Sequence, residues 1–205
     1  MKIMDKTSRL FDNWAKAGRA EDMEAGHGLS VNKFLDRITF EKPFTFLDIG
    51  CGNGWVVRKI AGEPKCKKAI GIDKSKIMIQ RAKTKQIRKK ECYFETDLAS
   101  WMYKDKFDVI FSMESLYYSV PMESALKNVF QLLKKMACFI VEQIFTKTTN
   151  LQHDGLKTWT FQWIFALKMN GKKCLWMLDL KQRRNTYWIQ QIKQNGDENT
   201  ERYLL

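Results

Sequence analysis

Residues 44–54 read FTFLDIGCGNG, a short apolar run that closes on glycines at positions 50, 52 and 54. A run of this kind is the signature of a buried strand, and the WVVRKIA that follows Gly54 has helical spacing. Glycine lets the chain turn sharply from strand into helix, and it lets a ligand approach the backbone without meeting a Cβ. The strand–turn–helix unit then recurs. KKAIGID reads as a strand, SKIMIQRAKTKQI as a helix with Ser75 placed to cap it, ECYFETD as a third strand and KFDVIFSM as a fourth. PMESALKNVFQLLKK, opened by Pro121, sets Ala125, Val129, Leu132 and Leu133 on one side of a helix. Such alternation predicts an α/β domain with a doubly wound, mostly parallel sheet and flanking helices. Ligands of such sheets bind beyond the carboxyl ends of the strands, where the strand order reverses.

Ahead of this unit, residues 1–40 carry two helical patterns, one from Leu10, Phe11 and Trp14 and one from Val31, Phe34, Leu35 and Ile38. The intervening GRAEDMEAGHG reads as a loop or hinge, and Pro43 separates the helices from the first strand. At 205 residues the chain fits one domain. Its five cysteines form no CxxC pair and have only His27 and His153 beside them. That pattern points away from a zinc site or a disulfide framework and suits the cytoplasm. No stretch has the length of a membrane span, so no membrane partner is expected.

Four rim elements carry chemistry. Asp48 lies beside the glycine turn, which taken alone could cradle a phosphate; the carboxylate repels a pyrophosphate and suits an ammonium. Asp73 in GIDKS ends the second strand, where an acid can accept both hydroxyls of a ribose. Asp97 in TDLASW follows the third strand and is placed to meet an adenine amino group. The fourth strand delivers Ser112, Met113 and Glu114 to the same rim. Asp108 at that strand's start reads as structural, and Cys51 as a small side chain in a tight loop rather than a nucleophile. Tyr117 and Tyr118 either line an acceptor pocket or close the core edge. His27 reads first as a surface histidine, with a gate or a base as the alternative.

In order and spacing these elements resemble the DxGxGxG, acidic, adenine and fourth-strand motifs of class I S-adenosylmethionine-dependent methyltransferases. The likeness covers about Thr45 to Lys135, and the preceding helices resemble that family's cap over the cofactor. It implies S-adenosylmethionine as cofactor, held by Asp48, Gly50, Cys51, Gly52, Gly54, Asp73, Lys74, Met78, Asp97, Leu98 and Met113. Within that set Gly50, Cys51 and Gly52 line the methionine part, Asp73 holds ribose, Asp97 and Leu98 flank adenine, and Met78 packs on its face. Acceptor-side candidates are His27, Glu114, Tyr117 and Tyr118; no catalytic residue follows from cofactor motifs, because methyl transfer depends mainly on alignment. The fourth strand reads SMES and lacks the NPPY-type run of family members that methylate base amino groups, so a small-molecule acceptor is the leading expectation. The net charge of +13, much of it between Lys59 and Lys90, keeps tRNA or rRNA as the alternative. An NAD-type oxidoreductase, expecting GxGxxG, and a non-catalytic binder are the rivals.

The domain reading is a cofactor-binding domain over 1–135, with cap helices in 1–40, followed by an atypical tail over 136–205. In the family the helix ending NVFQLLKK leads into a Gly-Gly turn and another strand, whereas MACFIVEQIF follows here. Back-translated with the frame moved by one base, NGKKCLWMLDL reads WKEMFVDAGF, MACFIVEQIFTKTTN reads GMFYCGTDFYKDNK and ENTERYLL reads KYGTLF. These resemble the family's late W-x-x-x-F-x-x-A-G-F segment, the strand after its Gly-Gly turn and its last strand. Residues 136–205 are therefore read as an out-of-frame remainder of the same domain, irregular except that MACFIVEQIF is apolar enough to pair as a fifth strand.

Overall fold

β1 (Phe44–Ile49) lies inside the parallel part of the sheet because both of its faces are apolar. It is flanked by β2 (Cys66–Asp73) and β4 (Phe107–Met113), and β3 (Glu91–Glu95) lies outside β2, all in parallel register. The computed structural model describes residues 6–35, 40–147, 158–169, 172–179, 188–192 and 202–204.

Successive strand residues point to opposite faces, and the core follows that period. Phe46, Val109, Phe111 and Ile140 pack on one face with α3 (Trp55–Ala61) and α4 (Lys76–Thr84), through Val56, Val57, Ile60, Ile79 and Ala82. Leu47, Ile49, Ile70, Ile72 and Ile110 pack on the other with α5 (Met122–Leu132), through Ala125, Val129 and Leu132. Each such buried Val, Leu, Ile or Phe side chain contributes about 1.5–3 kcal/mol over leaving it exposed. The doubly wound α/β expectation is met by this arrangement.

β5 (Leu133–Lys147) adds a fifth parallel strand beside β4, as its apolar text suggested. It starts with no turn after α5, and its register is irregular at once. Phe107 pairs with Leu133 and Val109 with Cys138, so Lys134–Ala137 stand against Asp108 alone. From β5 the sheet continues through β6 (Thr158–Met169), β7 (Lys172–Asp179), β8 (Trp188–Ile192) and β9 (Arg202–Leu204), all antiparallel. The expectation of an irregular tail is corrected at these strands. TWTFQWIFALKM and KKCLWMLD are rich in aromatic and β-branched residues, which favour extended backbone. His153 lies outside the described residues, as do the packing expected of the tail and its tryptophan side chains.

The N-terminal region is also more ordered than its glycines suggested. α1 (Lys6–Lys16) and α2 (Arg19–Leu35) are separated only at Ala17–Gly18, where Gly18 takes a φ of 78°. The stretch read as a loop or hinge is therefore largely helix, and His27 sits within α2. Ala, Glu and Met are strong helix formers, and no atom would crowd a Cβ at Gly26 or Gly28. In α1 the buried face is Ser8, Asp12 and Ala15, while Leu10 is exposed. In α2, Val31 and Leu35 are buried as expected; Ile38 and the Phe34 side chain lie outside the described residues. Among the described residues no helix is long and apolar enough to cross a membrane.

Candidate functional site

A cavity opens beyond the carboxyl ends of β1, β2 and β4, with about 960 Å³ of empty space including its mouth. Its floor is the turn after β1. Gly50 takes a φ of 73° and Gly52 a φ of 51°, conformations that a side chain resists. A Cβ on Gly50 would collide with Ser115, whose hydroxyl donates to the Ile49 carbonyl at 2.6 Å. Gly54, at φ 80°, stands behind the floor as the cap of α3, and a Cβ there would strike the Tyr93 ring at 2.6 Å. Its role is helix–strand packing, outside the cavity wall.

Two aspartates face the cavity. Asp48 is buried; its backbone pairs within the sheet, and its carboxyl meets no hydrogen-bond donor or cation among the described residues. Burial, and then the neighbouring charge of Asp73, hold its carboxyl well above the usual carboxylate range. A buried acid in that state ionises when a cation is brought to it. Asp73 accepts the Gly52 N–H on Oδ2 at 3.0 Å and the Ser75 N–H on Oδ1 at 2.8 Å. The Lys74 N–H also bonds this carboxyl, and a carboxylate with about four acceptor sites keeps capacity for a further donor. Burial raises its pKa to about 6 against the lowering effect of those N–H groups.

The remaining wall brings together most of the expected residues. Cys51, Lys74, Met78, Leu98, Met113, Glu114, His27 and Tyr118 all line the cavity. Asp97 lies outside it; its Oδ2 pairs with Lys74 at 2.9 Å and its Oδ1 accepts the Ala99 N–H. Tyr117 is exposed outside the wall and donates to Glu114 at 3.2 Å. Glu114 holds a φ of 48°, a left-handed conformation that non-glycine residues rarely adopt and that concentrates at functional sites. Burial pushes the Cys51 thiol up, which keeps it protonated and inert. His27 is the only histidine among the described residues.

A cap of N-terminal helices was expected, but of its cavity-lining residues only His27 was named as a site candidate. Thr7 and Phe11 of α1 and Ala20 and Met23 of α2 also line the cavity, and Phe11 meets Tyr118 edge-on at 5.0 Å. The roof is tied to the floor by Asn53, whose amide donates to Glu24 at 2.9 Å and to the Ala20 carbonyl at 3.4 Å. Asn53 stands inside the glycine motif, so its position was visible; its partner 29 residues away was not.

The residues present fit S-adenosylmethionine. The floor is open at Gly52, where a Cβ would meet nothing within 4 Å. Asp48 is a buried carboxyl with no cation beside it among the described residues, and Asp73 keeps acceptor capacity for a further donor.

A family profile described as a methyltransferase domain matches residues 40–193. Among curated proteins, one of Invertebrate iridescent virus 6 named as a methyltransferase is 29% identical over 106 residues, 52% of this chain and 39% of that protein. Among solved structures, a Haloferax volcanii protein described as a methyltransferase, in complex with the Trm112 methyltransferase activator, is similar at 27% identity and a TM-score of 0.61. That match covers 64% of this chain and 59% of the other. A Listeria monocytogenes protein described as an S-adenosylmethionine dependent methyltransferase matches at 25% identity and a TM-score of 0.51, over 62% and 65% of the two chains. The chain thus spans less than two thirds of the length of each of these relatives.

Proposed function

The chain belongs to the methyltransferase domain family, and on that premise we propose that it transfers the methyl group of S-adenosylmethionine to a small-molecule acceptor. Bound in the cavity, the cofactor supplies an electrophilic methyl on a sulfonium. Asp73 binds the two ribose hydroxyls, Asp48 orients the methionine ammonium, and Met78 and Leu98 pack about the adenine. Thr7, Phe11, Met23 and Tyr118 exclude water, and alignment of the reacting atoms in such a closed site is the main source of rate. His27 and Glu114, on the acceptor side, are placed to take a proton from an acceptor that needs to lose one.

The location of the positive charge carries the preference for a small molecule over tRNA or rRNA. KCKK at Lys65–Lys68 and the basic residues of Lys83–Lys90 cluster where β2 and β3 begin, at the end of the sheet opposite the cavity. Several of these lysines fasten backbone. Lys90 donates to the Glu63 and Cys66 carbonyls, and Lys65 to the Glu41 carbonyl. Incubation with methyl-labelled S-adenosylmethionine and fractionated extract tests the reading. Label in the small-molecule fraction is expected, and label confined to RNA would overturn it. The cytoplasmic placement belongs to the same reading, supported by Cys51, Cys66, Cys92 and Cys138 all being free thiols.

For residues 136–205 the reading is an out-of-frame remainder of the same domain. Support comes from the shifted text and from the junction, where Lys134–Ala137 bulge against Asp108 in place of a turn. A nucleotide read across the codons for Lys134–Met136 tests it. An indel in the A/G-rich run there is expected, and an intact frame overturns it.

A further inference from the structure

Cap helix α1 reaches the ribose carboxylate through a chain of hydrogen bonds. Asp12 is buried, and its Oδ1 accepts the Ser75 hydroxyl at 2.5 Å and the Ile77 N–H at 3.2 Å. The Ser75 oxygen in turn accepts the Met78 N–H at 3.1 Å, capping α4. The Ser75 N–H donates to Asp73, and the other oxygen of Asp73 takes Gly52. One unbroken path thus runs from the roof through the α4 cap and the ribose acid to the methionine floor. Ser75 needs only its lone pair to cap α4. The additional buried carboxylate on α1 orients the hydroxyl and ties the roof to the segment that carries Asp73. Burying a charge costs several kcal/mol unless hydrogen bonds compensate, so a helix placed there only for packing gains nothing from an acid.

We propose that Asp12 is a positioning residue, which through Ser75 fixes Asp73 for the ribose and makes closure of α1 part of cofactor binding. This rests on the reading of Asp73 as the ribose acceptor. The groups that face Asp73 are Asp48 and the Cys51 thiol from the first strand and its turn, the N–H groups of Gly52, Lys74 and Ser75, and Asp12 from α1. The Lys74 ammonium is engaged by Asp97. Of these, Asp12 brings a negative charge from the cap, which opposes ionisation of Asp73.

The test uses the full chain and two variants, Asp12→Asn and Asp12→Ala. Titration of the Asp73 carboxyl by carbon NMR, without ligand, is expected to show a midpoint at lower pH in Asp12→Asn than in the unaltered chain. Calorimetry with adenosylhomocysteine at pH 8 is expected to show about tenfold weaker binding in Asp12→Ala, with Asp12→Asn restoring it to within about threefold because the amide oxygen still accepts. An Asp73 midpoint unmoved in Asp12→Asn, or an Asp12→Ala affinity within about twofold of the unaltered chain, overturns the proposal. If the unaltered chain binds no adenosylhomocysteine while the midpoint still moves, the ribose reading fails and the coupling of Asp12 to Asp73 stands.

Discussion

Glu91 and Asp48 are both almost fully buried, at 1% and 3% exposure, at opposite ends of the parallel strands. Glu91, where β3 begins, is satisfied by its own chain. It accepts the N–H groups of Ile87 and Arg88 and the Tyr93 hydroxyl, at 3.0–3.3 Å. Asp48, near the end of β1, has no such partner among the described residues. The contrast extends to their surroundings. At the far end Asp108 takes two hydrogen bonds from Thr45 and one from Lys134, and despite the opposing effect of burial these hold its carboxyl below the usual range. At the cavity end both Asp48 and Asp73 are raised by burial. Buried charge met by the chain itself is architecture; buried charge left for something else to meet marks the site.

The sharpest way to break this comparison is to remove one acid from each end. Asp73→Ala is expected to weaken adenosylhomocysteine binding by about 100-fold in calorimetry, the loss of two charge-assisted hydrogen bonds, alongside a loss of stability from the N–H groups it leaves without an acceptor. Glu91→Ala is expected to cost stability alone. Three donors lose their buried acceptor, so urea denaturation should show a loss of about 3 kcal/mol, with affinity unchanged in the protein that remains folded. If Glu91→Ala instead costs affinity and not stability, the division between the two ends is wrong.

A milder test uses pH. The carboxyl of Asp73 must be ionised to accept ribose hydroxyls, and its pKa is about 6. Affinity should therefore be flat above pH 7 and fall as the pH drops through 6. Asp108 is shifted the other way, its pKa lowered on folding, so its effect is lost only at lower pH. Its contribution to stability is present above the unfolded value and is lost as pH falls through the folded one. Asp108→Asn should accordingly cost about 1 kcal/mol at pH 7 and nothing in strong acid. The smallest effect is expected from Lys67→Gln with Lys89→Gln, both exposed at the basic end: less than a twofold change in cofactor affinity, by calorimetry.

Much of this was legible before the fold was known. The turn after β1 needed glycines at 50 and 52 for backbone reasons alone, and the apolar runs FTFLDI and FDVIFS marked buried strands. Ser75 announced its cap. Glycine misled in α2, because GRAEDMEAGHG holds enough Ala, Glu and Met to stay helical once it packs as a roof. The tail was read as irregular, yet its aromatic and β-branched residues form antiparallel strands through backbone pairing that no period in the text revealed. Asp12 and Asn53 were illegible for a different reason. Their partners lie 63 and 29 residues away, and nothing local distinguishes a buried acid on a helix from a solvated one.

The central claim is that the cavity at the carboxyl end of the strands takes S-adenosylmethionine, and heat protection tests it most directly. At a concentration near 100 times Kd the cofactor should raise Tm by roughly 5–10 °C, an effect absent in Asp73→Ala, while NAD leaves Tm unmoved. Protection by NAD, or equal protection of Asp73→Ala by S-adenosylmethionine, would contradict the account.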